Sequence, residues 1–484
     1  MNVFEQPTGM SRRVFLKGLG YVSVALISSA MLGGCETLIK QIQNRPIRRR
    51  LRTGSTEVDT ALAIYKEAVA TMKALPASDP RSWAAQAALH GTVAGGFNFC
   101  HHGTNHFFSW HRAYLFYFEQ ICQELTGEKT FGLPYWNWNQ NAAMHPEFTN
   151  AASPLFHPRN NTSVAGNPAF TNPTLNPMMG DENFFTFSSQ IEGTPHNTTH
   201  NIVGGDMVTG GSPLDPVFWA HHCMVDYCWA KWNLELEHDN TNDATWLNTS
   251  WNHFVNGKGN PVEVTAGGTI LMPLLSYRYE SSAIGGFSVT TDLTAASAAE
   301  VKKLEQRLRK GVDVRVEIRK RIPIARGTHL SLAKPFAAQT RMAGADVAAL
   351  LESQQRNERV FVRINYAQLP ATNDFFVRVF LNLPTANRHT PMEDIHYAGS
   401  FAFFGTEDKT HGPQAGKTDF LVNVTDTLQK LRRSGQLQNG EPITVQLVAV
   451  PIANEFIRPE TELTLEDIEL LVTPVGIHSK QDQK

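Results

Sequence analysis

The 484-residue sequence predicts a mainly α domain built as a four-helix bundle, followed by a C-terminal β-sandwich domain. Three observations carry that expectation. Apolar side chains recur at helical spacing between residues 57 and 236. From Val312 onward, short runs alternate apolar and polar residues, the period of strands that bury one face. A hydrophobic content of 42%, with 10% aromatic residues, supplies enough apolar volume for sizeable cores.

The elements follow in order. SRRVFLK at residues 11–17 resembles a twin-arginine export signal, and a short, mildly apolar stretch rich in Ala, Gly and Ser follows it. LGGC at residues 32–35 resembles a lipoprotein processing box, with Cys35 as the lipidation candidate. Residues 1–40 are therefore read as a signal, which implies a periplasmic or membrane-anchored extracytoplasmic protein. Val58, Leu62, Tyr65 and Val69 mark a helix over residues 57–75. A second helix spans 81–93, with Asp79 as its N-cap and Pro80 in its first turn. A third covers 110–125 and a fourth 215–236, opened by Asp215-Pro216. The stretch 139–199, rich in Asn, Pro, Thr and Phe, is too long for an idle connection and is expected to shape a site.

Residues 257–268 read as a turn-rich linker. Alternation at Val312, Val314, Val316 and Ile318, then within 359–365, 375–381, 399–404 and 443–450, reads as strands of the sandwich. The resulting division is a catalytic domain over 45–280, a linker and lid-associated segment over 281–355, and a β-rich domain over 356–476.

The net charge of −2 gives no footprint for nucleic acid, and the basic run RPIRRRLR at residues 45–52 is local. Five cysteines (Cys35, Cys100, Cys122, Cys223, Cys228) are too scattered for a disulfide scaffold. The chemistry gathers on histidine. His90 sits near the end of the second helix, and CHHGTNHFFSWHRAYLFYFE from Cys100 to Glu119 supplies His101, His102, His106 and His111. PHNTTH supplies His196 and His200, whose i, i+4 spacing puts both rings on one face if the segment is helical. The fourth helix carries His221 and His222. Two sets of three histidines on packed helices make a paired metal site in a bundle core. Imidazole suits zinc, copper, iron and nickel. Asn197 stands where a zinc protease needs Glu, and these segments supply histidine in place of the Glu-x-x-His pairs of carboxylate di-iron bundles.

HGTNHFFSWHRAYLFYFE and DPVFWAHHCMVD resemble the two copper signatures of the type-3 copper family: tyrosinases, catechol oxidases and haemocyanins. The resemblance covers roughly residues 45–280, and more loosely the C-terminal domain of the family's longer members. It implies a four-helix bundle around a dinuclear copper site. One copper ion would be held by His90, His102 and His111, and the other by His196, His200 and His222. His101, His106 and His221 fall at non-ligand positions. It also implies a thioether between Cys100 and the His102 ring, the alternative being a buried free thiol.

The implied activity is that of a tyrosinase, which hydroxylates monophenols and oxidises o-diphenols to o-quinones with O2. The partners are then a phenolic small molecule and O2. Glu192 and Asn197 match the residues that hold a proton-accepting water in tyrosinase-like members. The alternatives are a catechol or aminophenol oxidase, or a haemocyanin-like oxygen carrier. Thr209 is the candidate entrance residue. Asp226 either hydrogen-bonds a ligand imidazole or forms a bundle salt bridge with Arg112 or Lys231. Tyr277-Arg278-Tyr279 resembles the Tyr-x-Tyr that closes the catalytic domain, with Arg48 or Arg49 packed on it through a cation–π contact. HYAGSFAFFG, residues 396–405, is the stretch expected to cover the copper site. A lipid anchor and a homo-oligomer stay open.

Overall fold

The computed structural model describes residues 44–93, 96–284, 298–312, 318–331, 333–340, 358–366, 375–404, 419–438, 441–451 and 462–474. The export motif, Cys35, and the alternation at Val314 and Val316 lie outside the described residues.

Two hydrophobic cores organise the chain. The first runs from Leu51 to Leu308 and is walled mainly by helices, with loop and hairpin residues such as Tyr135, Trp136 and Trp251 filling the gaps. Helix α1 (Thr56–Ala74) buries Val58, Leu62, Tyr65 and Val69, the stripe read from the sequence. Helix α2 (Trp83–His90) starts later than expected. Its cap is Ser82, whose Oγ accepts from Ala85 N, while Asp79 is engaged by Arg81. Helix α3 (Phe107–Thr126) packs against α1 and is buried from Phe107 through Glu119. Gly127, with φ of +76°, lets the chain turn out of it.

Helices α4 (Asn172–Met179), α5 (Phe184–Ile191) and α6 (Asn197–Val203) line one side of the core. A π turn, Glu192–His196, joins α5 to α6. Pro195 cannot donate within it, and Asn197 N reaches back five residues to Glu192 O. Helix α7 (Val217–Ala230) packs on α3 and is buried on every face, so it lies at the centre of the domain. Asp215 accepts from Val217 N at its start. The stretch 257–268 is a correction to the expected linker. It forms the turn and second strand of a hairpin, Ser250–Val255 with Pro261–Thr265, then a short helix. Trp251 and Phe254 anchor that hairpin in the helical core.

The second core is a β-sandwich. Its strands are β1 (Lys320–Ser331), β2 (Phe336–Gln339), β3 (Glu358–Tyr366), β4 (Phe375–Leu381), β5 (Tyr397–Ala402), β6 (Asp419–Asn423), β7 (Thr444–Pro451) and β8 (Glu462–Pro474). One sheet has the order β5-β4-β7-β2, the other β6-β3-β8-β1, and their pairings are antiparallel. The domain boundary therefore moves. β1 and β2 fall in the segment read as linker, yet Ile322 and Leu330 are in the sandwich core. Helix α8 (Ala298–Lys310) instead lays Leu308 on the helical core.

A buried ionic hub ties the N-terminal strand to α3, α7 and the end of the helical domain. Ile47–Arg48 pairs in parallel with Arg278–Tyr279. Arg48 is fully buried, and its guanidinium lies 3.6 Å from the Tyr277 ring centroid. It donates to Glu119 Oε2 at 2.9 Å and to Asp226 Oδ2 at 3.1 Å. Arg112 donates to Asp226 Oδ1, and the hydroxyls of Tyr277 and Tyr279 donate to Oδ2 at 2.6 and 2.7 Å. Asp226 thus binds arginine and tyrosine and no imidazole, which corrects the first of its two sequence readings. Burial pushes its carboxyl up, but Arg112, Arg48 and Tyr277 outweigh burial and hold it below the usual range.

A group held low stabilises the fold above its unfolded value and loses that contribution as pH falls through the folded one. Asp226→Ala strands two buried guanidinium groups, so it is expected to cost about 3–5 kcal/mol in denaturant unfolding. Tyr277→Phe, which removes one donor, is expected to cost about 1–2 kcal/mol. A loss under 1 kcal/mol for Asp226→Ala would show that the hub does not hold the domain together.

Candidate dinuclear metal centre

His90 sits at the C-terminus of α2, His102 in the loop before α3, and His111 one turn into α3. His196 ends the π turn, His200 follows on α6, and His222 is on α7. Their rings converge in a buried pocket. In the first set the ring centroids are 5.1 Å (His90–His102), 4.9 Å (His102–His111) and 5.8 Å (His90–His111) apart. In the second they are 4.6 Å (His196–His200), 4.9 Å (His196–His222) and 5.4 Å (His200–His222) apart. The sets meet through His111 and His222, stacked at 4.6 Å, and through His102 and His196 at 5.5 Å.

Hydrogen bonding fixes which nitrogen faces inward. A backbone carbonyl only accepts, so an imidazole nitrogen bonded to one must carry the proton. Nδ1 of His90 donates to Gly210 O, Nδ1 of His111 to Phe107 O, and Nδ1 of His200 to Met207 O. His196 Nδ1 donates to Asn197 Oδ1, whose amide nitrogen donates in turn to Ala402 O. These four imidazoles aim unprotonated Nε2 atoms into the pocket. Nε2 of His90, His102 and His111 is buried without a hydrogen-bond partner among the described residues. His200 Nε2 lies 3.1 Å from His196 Nε2 and 3.2 Å from His222 Nε2. His196 and His200 already carry their protons on Nδ1, so none is left to bridge their Nε2 atoms.

Extra protons are disfavoured as well. Burial first, then the neighbouring imidazoles, holds His102, His111, His200 and His222 well below the ordinary histidine range. Burial takes His90 down to about 4 and His196 to about 3. Neutral imidazole lone pairs crowded in a buried pocket are stabilised by Lewis-acid cations, and an all-imidazole donor set suits copper.

Cys100 is buried, with Sγ 3.4 Å from His102 Nδ1. His101 and His106 turn away. His101 Nε2 accepts from Trp251 Nε1, and His106 stacks on Trp246. His221, assigned a non-ligand position by resemblance, lies closer in than that assignment suggests. A ring nitrogen of His221 falls within 4.8 Å of those of His196, His200 and His222. A backbone acceptor of His196 is nearby, outside hydrogen-bond geometry.

Glu192 is buried on the π turn, and its Oε1 accepts from Gly103 N at 2.6 Å. Burial lifts its carboxyl to about 8. Thr209, read as an entrance residue, is buried and turned into its own loop. Its hydroxyl donates to Asp206 O and accepts from Gly211 N, fixing the loop whose Gly210 carbonyl orients His90.

The sandwich reaches into the pocket. Phe404, just past β5, sets its ring over the imidazoles, with centroids 4.1 Å from His200 and 4.8 Å from His102. The sequence marked residues 396–405 but gave no residue number for the ring. Phe404 backs onto Phe97 at 5.1 Å. Thr194, Asn197 and Asn201 donate to the carbonyls of Ser400, Ala402 and Phe403. Gly193 permits this approach, since a Cβ there would come within 2.9 Å of the Phe420 ring.

The family model for the common central domain of tyrosinase matches residues 80–178 and 145–235, the stretch that supplies all six imidazoles. A domain of unknown function, DUF7868, matches residues 291–470. The chain is 26% identical to tyrosinase HcTyr1 of Hahella sp. (strain CCB-MM4), over 88% of this chain and 98% of that protein. It is 28% identical to (+)-larreatricin hydroxylase of Larrea tridentata, over half of each chain. Among solved structures, latent apple tyrosinase aligns with a TM-score of 0.62 at 20% identity, covering 89% of this chain and 97% of that one. A functional unit of octopus hemocyanin aligns with a TM-score of 0.50 at 17% identity, covering 89% and 100%. The two converging imidazole triads and the tyrosinase central domain that contains them place this chain in the type-3 copper family, with a dinuclear copper site.

Proposed function

We propose that the chain is a tyrosinase that hydroxylates monophenols ortho to the hydroxyl and oxidises o-diphenols to o-quinones with O2. Two copper ions, held by His90, His102 and His111 and by His196, His200 and His222, supply the redox and Lewis-acid chemistry. The observation that carries the monophenol step is a buried carboxyl, Glu192, on the same π turn as the ligand His196. A phenol loses its proton near pH ~10, whereas an ordinary carboxylate accepts one near ~4. At about 8, the Glu192 carboxyl is a far better matched acceptor. Asn197 holds His196 in the tautomer that turns Nε2 inward. The SRRVFLK motif supports export of the folded protein, with Cys35 as a lipidation candidate.

A second reading, catechol oxidase, draws on the Asn197 amide. Its oxygen accepts from His196 and one of its two N–H groups donates to Ala402 O, so while residues 400–404 are in place half of its capacity to hold a water is already taken. Parallel oxygen-uptake assays on a monophenol and its o-diphenol, after copper loading, separate the two activities. Reversible O2 binding without turnover of either would favour an oxygen carrier.

The Phe404 ring occupies the space a phenol needs, so the full chain is expected to be latent. Proteolysis after about residue 280, or Phe404→Gly without cleavage, should raise o-diphenol turnover at least about tenfold, the effect of relieving ~1.4 kcal/mol of occlusion. Unchanged activity with copper retained would count against the lid.

Asn197→Gly should lower monophenol turnover about tenfold or more while o-diphenol turnover falls much less, judged on the scale of a positioned proton-transfer group. Equal losses on both substrates would remove this role.

Because the Glu192 carboxyl is raised in the fold, folding retains a proton that the unfolded chain releases. This group therefore makes stability fall as pH rises from the ordinary carboxylate value to about 8. In the copper-free protein, Glu192→Gln is expected to remove that fall, gaining on the order of 1–3 kcal/mol at pH ~9 relative to pH ~5. A pH-independent difference in unfolding free energy would contradict it.

A further inference from the structure

The contacts around residues 399–404 have the form of a bound polypeptide. From these we propose that, once this strap is displaced, the site accepts tyrosine carried within a peptide chain, reading the main chain on its N-terminal side. This substrate class rests on the tyrosinase reading above.

Three observations support it. First, occlusion requires only a ring over the imidazoles, yet the catalytic domain also binds consecutive main-chain carbonyls. Asn197 Nδ2 donates to Ala402 O at 2.8 Å and Asn201 Nδ2 to Phe403 O at 2.6 Å. The two residues stand one helical turn apart on α6, and both are buried. A free small phenol offers no carbonyls at these places.

Second, Asn201 Oδ1 is buried and has no hydrogen-bond partner among the described residues. A buried amide oxygen left unpaired is costly. A peptide N–H would satisfy it, and this strap leaves it unmet.

Third, the strap side chains alternate. Phe401 and Phe403 point into the sandwich core, the Phe404 ring meets the pocket, and strand alternation puts Ala402 on the same face as Phe404. A peptide seated the same way would put tyrosine at the place of Phe404. It would tolerate a large residue immediately before the tyrosine and need a small one two positions before it, where Ala402 is fully buried.

The reaction balances with O2 alone. One oxygen atom forms a C–O bond ortho to the peptidyl phenol, replacing the ring C–H. The other oxygen leaves as water with that hydrogen and the phenolic proton. The phenol is oxidised to the o-quinone as O2 is reduced.

Two experiments test the proposal. In the copper-loaded full chain, Phe404→Tyr places a phenol on the strap itself. Position 404 should gain one oxygen atom, read by peptide mass spectrometry after ascorbate reduction, and no other tyrosine should change. No modification there would overturn the proposed seating. The second uses Arg359→Glu in the full chain, which sets like charges at the Arg359–Asp181 contact between the domains and loosens the strap. A fluorescent acetyl-Ser-Phe-Ala-Phe-Tyr-amide should bind this copper-free variant. Adding Asn201→Leu should weaken the binding about fivefold, as for the loss of one hydrogen bond. In the copper-loaded form, Asn201→Leu should lower kcat/KM for the peptide by a similar factor but leave 4-methylcatechol turnover nearly unchanged. Replacing the peptide's Ala by Leu should be more damaging than replacing the Phe before Tyr by Leu.

Equal effects on peptide and catechol would reduce Asn201 to a fastener of the strap and overturn the proposal. If catechol is oxidised and the peptide is neither bound nor modified, the peptide proposal fails alone. If copper is bound and neither substrate reacts, the tyrosinase reading falls, and this proposal with it.

Discussion

The structure depends on the placement of one proton on each of four imidazoles. His90, His111 and His200 give their Nδ1 protons to backbone carbonyls, and His196 gives its to Asn197. Their Nε2 lone pairs then have nowhere to face but the pocket. Burial prevents a second protonation from relieving the repulsion. The helices exist, in this sense, to supply those acceptors at the right height. Phe107 O is one turn before His111 on α3. Met207 O and Gly210 O come from the loop that follows α6, which Thr209 braces from within. A copper-free chain holds this arrangement only if the surrounding core is stiff enough to oppose it.

The stiffness comes from the aromatic core and from the ionic hub that adjoins the pocket on α3 and α7, beginning at Arg112 beside His111 and at Asp226 one turn after His222. Asp226 lies one turn after His222, close enough to be taken for a partner of that imidazole. The structure gives it to Arg48, Arg112, Tyr277 and Tyr279 instead. Removing two arginines from water is unfavourable unless their hydrogen bonds are met, and here the N-terminal strand, both helices and the end of the helical domain all contribute. The metal pocket and the hub are thus neighbouring stretches of the same helix pair, one holding lone pairs together and the other holding opposite charges together.

Much of this was legible in the sequence, because helices and metal sites are local in register. The stripe of α1, the i, i+4 pair His196 and His200, and the segments feeding each triad follow from spacing. What sequence could not supply were contacts between distant segments. A local choice was also left open, since Asp79 and Ser82 are both good capping residues and the Asp79–Arg81 pairing decides for Ser82. Strands β1 and β2 escaped because β1 carries Pro323 and Gly327 and much of it is half exposed, so alternation is faint. The hairpin at 250–265 was hidden by its own turn, whose Gly and Asn residues read equally well as a linker. Phe404 is one of several phenylalanines in a strand-like run. Nothing local distinguishes the ring that meets His200 from those that fill the sandwich.

The boundary between the two cores explains how one chain can hold a closed site without sealing it permanently. Phe403 belongs to the sandwich core while its neighbour Phe404 lies over the metal pocket, so the strap crosses the boundary within one residue. Much of what joins the domains there is polar: Arg359 to Asp181 and Gly180, Ser189 to Asp419, and the donors of Thr194, Asn197 and Asn201. A cavity of about 620 Å3 also separates Pro173, Thr174 and Met178 from Asp394, Tyr397 and Lys430. Water can replace such hydrogen bonds at small net loss, whereas parting a continuous apolar core would expose its whole area at once. Each domain keeps its own core when they separate. The same polar donors that fasten the strap are then exposed to solvent at the rim of an open site, where any chain offering carbonyls and an aromatic ring in that order can compete for them.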